Sequence, residues 1–188
     1  MTSVAFVTLS ELPHARADKS PYRLAEPDEF LAFLRDLFFP GLARMVKARG
    51  AVARPKLLVI ARTSPGGDKV FDTPIPLLVS LHEQVSTNVV LALLERCNSV
   101  GHVLVTSAWT APHDDPRLDA IDVTERPDRY EAVVAVAQHD GLGEQPRVWR
   151  ARQTTDEGVV TLGEFVEAGD IVKYMDRMFA DGDRKGLN

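Results

Sequence analysis

Apolar residues recur at helical spacing early in the chain and alternate along several later stretches, which predicts an α+β fold with a mostly antiparallel sheet. The first helix is announced by Pro27 at an opening position, where its missing N–H costs nothing, and by Asp28 and Glu29, which complement the helix dipole. Phe30, Phe33, Leu34, Leu37 and Phe38 then fall on one stripe, continued by Leu42, Met45 and Val46. Pro40 should kink or split this helix and Gly50 should end it. The stripe is most simply core; a groove for a hydrophobic ligand is the alternative reading.

A hairpin follows. Lys56–Arg62 is a short β-branched run suited to a buried strand, Ser64–Asp68 supplies turn residues, and Lys69–Thr73 is the return strand, closed by Pro74 and Pro76. A second helix is predicted from about Leu78 to Asn98, with Leu81, Val85, Val89, Ala92 and Leu93 on one face and Val90, Leu91 and Leu94 widening it. Such a helix should pack on the sheet and be covered on its other side as well.

The remainder is mainly β. Val103, Val105, Ser107 and Trp109 share one face of a strand over 102–111, and Tyr130, Ala132, Val134 and Val136 share one face of a strand over 129–138. The expectation is that Val103, Val105, Val134 and Val136 lie deeply buried in neighbouring antiparallel strands. Arg147–Thr154 and Val159–Phe165 form a hairpin in which Gly158 takes the left-handed turn position. Ile171, Tyr174, Met175, Met178 and Phe179 mark a last helix from Gly169 to Gly182. The predicted order is α-ββ-α-ββββ-α in one domain over 26–182, after an arm or edge strand at 1–25 and before a loose tail at 183–188. Roadblock-like and profilin-like domains resemble this in element order alone, which carries no function.

A second resemblance lies in sequence. Ser107-Ala108-Trp109, an acidic Pro-containing stretch, and Arg126-Pro127-Asp128-Arg129-Tyr130-Glu131 leading into a β-rich run resemble a pattern in uncharacterised bacterial and phage-encoded proteins, over about residues 55–180. Its distinctive piece is the Pro-Asp-Arg-x-Glu string at 127–131. It implies no catalytic residue.

Composition narrows the function classes. Net charge is −5, with 12 basic and 10 acidic residues before position 111 and 10 and 17 after it. Nucleic-acid binding, which draws most of its affinity from phosphate neutralisation, is therefore disfavoured as a general property. The single cysteine, Cys97, excludes an internal disulfide and is expected to be a buried thiol. The opening residues lack a basic n-region, and no apolar run reaches the roughly 20 residues of a membrane span, so a cytoplasmic protein is expected.

Chemistry concentrates in the connection from Pro112 to Asp128, which holds His113, Asp114, Asp115, Asp119, Asp122, Glu125 and Asp128. His113, Asp114 and Asp115 could ligate a divalent cation and so activate water, although turn-forming residues in a solvated loop would look the same. Arg126, Arg129, Glu131 and Trp109, at the junction of this loop with the strands, are candidate binding residues. The two arginines could serve as anion donors, or Arg129 and Glu131 could form an ion pair along one strand face. Arg147, Trp149, Arg150 and Arg152 interleave basic and aromatic groups as base-stacking surfaces do, but a solvated face beside a packed Trp has the same pattern. No P-loop, dinucleotide fingerprint, HExxH pair or nucleophile elbow is present.

Three readings remain open. The first is a binding or assembly protein without catalytic machinery, self-associating as a homodimer or taking a protein partner. Its ground is apolar stripes on the first and last helices that exceed what one sheet face covers. The second is a metal-assisted hydrolase using the 112–128 loop, and the third a small-molecule sensor with a pocket between the first helix and the sheet.

Overall fold

A computed structural model describes residues 21–50, 52, 54–81, 86–111 and 121–168. The fold is α+β. Its order is α1 (Pro27–Phe33), a π-helical turn (Leu34–Phe38), α2 (Phe39–Arg49), β1 (Lys56–Thr63), β2 (Val70–Ser80), α3 (Thr87–Arg96), β3 (Ser99–Thr110), β4 (Tyr130–His139), β5 (Arg147–Asp156), β6 (Val159–Leu162) and β7 (Val166–Glu167). All pairings are antiparallel, in the spatial order β2-β1-β3-β4-β5-β6, and β7 lies along the other half of β5. The expected last helix, over 169–182, lies outside the described residues, as do residues 1–20 of the expected arm.

Layering follows from β1. Leu57, Leu58, Val59, Ile60 and Ala61 are all fully buried, so this strand needs cover on both faces. Leu58 and Ile60 face α1 and α2, together with Val103 and Val105 of β3, Val133, Ala135 and Ala137 of β4, and Trp149 of β5. Leu57, Val59 and Ala61 face α3, with Val79 and Cys97 buried there and Val90, Leu93 and Leu94 packed against them.

Pro40 is accommodated without breaking the helix. Phe39 donates its N–H to the Leu34 carbonyl, five residues back, so the backbone widens where the proline ring would press on the preceding turn. This extra residue rotates the stripe. Phe38 and Phe39 are both buried, while Leu37 is half-buried. Phe39 stacks on Phe165 at 4.3 Å between centroids and lies 5.6 Å from Trp149. Gly50 ends α2 at φ 85°, donating its N–H to Val46.

Four expectations are corrected. The helix expected from about Leu78 begins at Thr87 instead, and the return strand expected to close at Pro74 runs on to Ser80. β2 pairs only with β1, so it is an edge strand, where a missing N–H can face outward. α3 packs on the sheet with one side, but Val89 and Leu91 on its other side are exposed rather than covered. The pairing of β3 with β4 is as expected, as is the shared face of Tyr130, Ala132, Val134 and Val136, but Val136 is less deeply buried than expected. Val103 pairs with Ala137 and Val105 with Ala135, so Val133, Ala135 and Ala137 share their face. Val134 is buried and Val136 half-buried on the opposite face, opposite Thr106 and Leu104.

The hairpin turn forms at Glu157-Gly158, with φ 48° and 80° and Asp156 paired to Val159, as Gly158 foretold. Leu24, expected within the arm, is buried in the core. Its carbonyl accepts from His139 Nε2 at 3.1 Å, while His139 Nδ1 accepts the Gly141 N–H, an arrangement that places the proton on Nε2. The buried imidazole stacks on Phe30 at 4.9 Å and so joins the entry of α1 to the end of β4.

Gly101, the cross-strand neighbour of His139, has no room for a side chain. A Cβ there would stand 2.8 Å from His139 Cδ2 and 3.1 Å from the Gln138 carbonyl. Gly101→Ala is therefore expected to lower stability by about 1–3 kcal/mol, the range for overpacking a filled site. Urea unfolding followed by circular dichroism measures it; an unchanged midpoint would show that His139 can move aside freely.

Candidate functional site

β3 and β4 pair without interruption to their far end, where Trp109 stands opposite Glu131 and Thr110 opposite Tyr130. Trp109 continues the face of Val103 and Val105 beyond the cover of α1 and α2, and 41% of it is exposed. The Arg129 guanidinium lies over its ring, 5.0 Å from the centroid. Glu131 turns the other way, across β4 toward β5, and accepts from Gln153 Nε2 at 2.8 Å. The expected Arg129–Glu131 ion pair is thus replaced by two divergent contacts. Among the described residues no carboxylate pairs with Arg129. The Gln153 carbonyl oxygen is buried without a partner, because the reverse amide orientation would set it against the Glu131 carboxylate.

Arg126 has a different role from the other three. It is 3% exposed, and its Nε and Nη2 donate to the two carboxylate oxygens of Asp128 at 3.0 and 2.8 Å. This fork closes the turn that leads into β4, where Arg126 also accepts the Arg129 N–H at its carbonyl. Arg126 therefore positions the strand end and is not open to an anion. The structure brings Trp109, Arg129 and Glu131 together, while Arg126 is buried in the turn that precedes β4. His113, Asp114 and Asp115 lie outside the described residues.

The aromatic–basic interleaving on β5 resolves into separate contacts. Arg147 lies 5.6 Å from the buried Trp149 ring and forms a fork with Glu167 at 2.6 and 2.8 Å, fastening β7 to β5. Arg152 lies over Tyr130 at 4.8 Å, on the sheet face opposite Trp109.

A second feature escaped sequence reading. An open groove of about 590 Å³ lies between the end of α3 and the β4–β5 connection, lined by Leu94, Glu95, Asn98, His102, Asp140 and Glu144 among others. Burial pushes the His102 imidazole below its ordinary range, partly offset by the Asp140 carboxylate, so His102 is held neutral. Ser99, beside it, donates its hydroxyl to the Gly101 carbonyl at 2.7 Å and is not offered to His102 as a nucleophile. No group of three metal-ligating side chains occurs among the described residues. Cys97 is buried, which raises its thiol above the usual range and makes it a poor nucleophile. No single-residue signal marks this groove, since its lining comes from two separated segments, 94–102 and 138–144.

No helix among the described residues is long and apolar enough to cross a membrane. No family model, curated protein or solved structure matches the chain. The reading of the site therefore rests on its own geometry.

Two pH effects follow. The Arg126 fork holds the Asp128 carboxyl below its ordinary range, so its stabilisation is present above the unfolded value near ~4 and lost as pH falls through the folded value. Asp128→Asn should lower the thermal midpoint at pH 7 and leave it unchanged at the acid extreme. A constant difference at every pH would mean that the pair contributes only through shape. His102 acts over another range: its folded value is depressed, so stability falls as pH drops below about 6.5, where the unfolded chain takes up the proton. His102→Gln should flatten that limb in a series of urea midpoints against pH.

Proposed function

We propose that this protein is a binding or assembly protein that engages a protein partner through the Trp109 end of β3 and β4. One observation carries the reading: a Trp on a rigid sheet is left 41% exposed and carries an arginine that no described carboxylate neutralises. Tryptophan and arginine dominate the energetics of protein interfaces because each offers a large, preorganised surface that gains on desolvation. The supporting strands pair fully up to this point, and the Arg126–Asp128 fork closes the turn behind it, so the patch is presented with little conformational freedom to lose. The described residues offer no nucleophile activated by a base; of the two histidines lining the open groove, His102 is kept neutral by burial and His139 is engaged by the Leu24 carbonyl and the Gly141 N–H.

The sensor reading has less support. The space between α1–α2 and the sheet is filled by Phe30, Phe33, Phe38 and Leu42, each fully buried. The hydrolase reading depends on the 112–120 stretch and has no support among the described side chains.

A photo-crosslinking residue in place of Trp109 tests the proposal in cells that express the full chain. A discrete protein adduct is expected from position 109 and none from Val70, which is still more exposed. Absence of any adduct at 109, with the protein folded, would sink the binding reading.

A further inference from the structure

We infer that the Trp109 patch is an isologous interface, occupied by the same patch of a second copy of this chain. The inference rests on the binding reading above and adds the identity of the partner. Its basis is the charge layout of the patch. Across this face the order is Trp109 on β3, Glu131 on β4 and Gln153 on β5. Arg129 leans toward β3 over the Trp109 ring, and Glu131 is turned toward β5 by Gln153. One positive and one negative group are therefore held apart on one surface, although they are only two residues apart in sequence and share a strand face.

A two-fold axis in the contact plane, perpendicular to the line from Arg129 to Glu131, sets each arginine against the second copy's glutamate. Two ion pairs then form from one pair of residues, and each Trp109 ring backs the arginine that makes one of them. Self-complementarity of this kind is what a closed dimer requires, since every contact is made twice. A partner of a single charge sign would leave one of the two groups facing its like.

This ground for self-association is separate from the one that the sequence suggests, the stripes of the first and last helices, of which the last lies outside the described residues. The apolar stripe of α1 and α2 packs on the sheet, with Leu37 and Met45 left half-buried. The outer side of α3, with Val89 and Leu91 exposed, is a short helical face that offers no complementary charge arrangement.

Light scattering across a concentration series, on the full chain, is the test. A dimer is expected with a dissociation constant on the order of tens of micromolar, in keeping with a small interface. Trp109→Ala and Arg129→Glu should each weaken it by about tenfold or more. The double variant Arg129→Glu with Glu131→Arg reverses both charges and should restore the dimer, a rescue that general misfolding would not produce; circular dichroism checks the fold of each variant. A wild-type monomer throughout the series, a dimer indifferent to Arg129→Glu, or failure of the charge swap to restore association would overturn the inference. A monomer that nevertheless gives a position-109 adduct with a different protein would overturn self-association alone and leave the binding reading standing.

Discussion

The need to bury β1 on both faces governs this structure. Five consecutive side chains from Leu57 to Ala61 are removed from solvent, and a strand can do this only between two layers. The aromatic stripe of α1 and α2 supplies one layer and the shorter α3 the other. The two layers are unequal. On the first side, rings from Phe30 to Phe39 close against Trp149 and Phe165, and losing one such ring from a filled core costs about 3–5 kcal/mol. On the second, α3 meets mainly β1 and β3 and keeps apolar residues facing solvent.

That arrangement explains why the far end of β3 and β4 is open. α1 and α2 cover the sheet across β1, β3 and β4 up to Trp149, while β3 and β4 extend past this cover to Trp109 and Tyr130. A rigid projecting ladder results, paired along its length and closed at its turn by the Arg126–Asp128 fork. The inner half of this strand pair builds the core, and its outer half presents Trp109, Arg129 and Glu131, the patch proposed to bind.

The edges of the sheet are guarded against indiscriminate pairing. β2 carries Pro74 and Pro76, and the opposite edge is divided between β6 and β7, both very short. Association by strand addition is therefore disfavoured at both ends. The proposed contact through the Trp109 patch uses a face of the sheet instead.

Local pattern alone determined much of this protein. The first helix and its end at Gly50, the β1 strand, the β3–β4 pairing, the Glu157-Gly158 turn and the buried state of Cys97 all follow from rules that act over a few residues. So did the grouping of Trp109, Arg129 and Glu131, because period-two alternation and one connection between two strands place them at one end. Three features were decided only by tertiary structure. Proline in β2 is tolerated because the strand lies at an edge, and edge position is a property of the whole sheet. The face that Val134 occupies was undetermined because both alternating series of β4 are apolar, so a one-residue choice of register decided between them. Arg126 looked like an open anion donor, but burial and the Asp128 fork make it a structural post, since exposure depends on which segments meet above a residue and not on the residue itself.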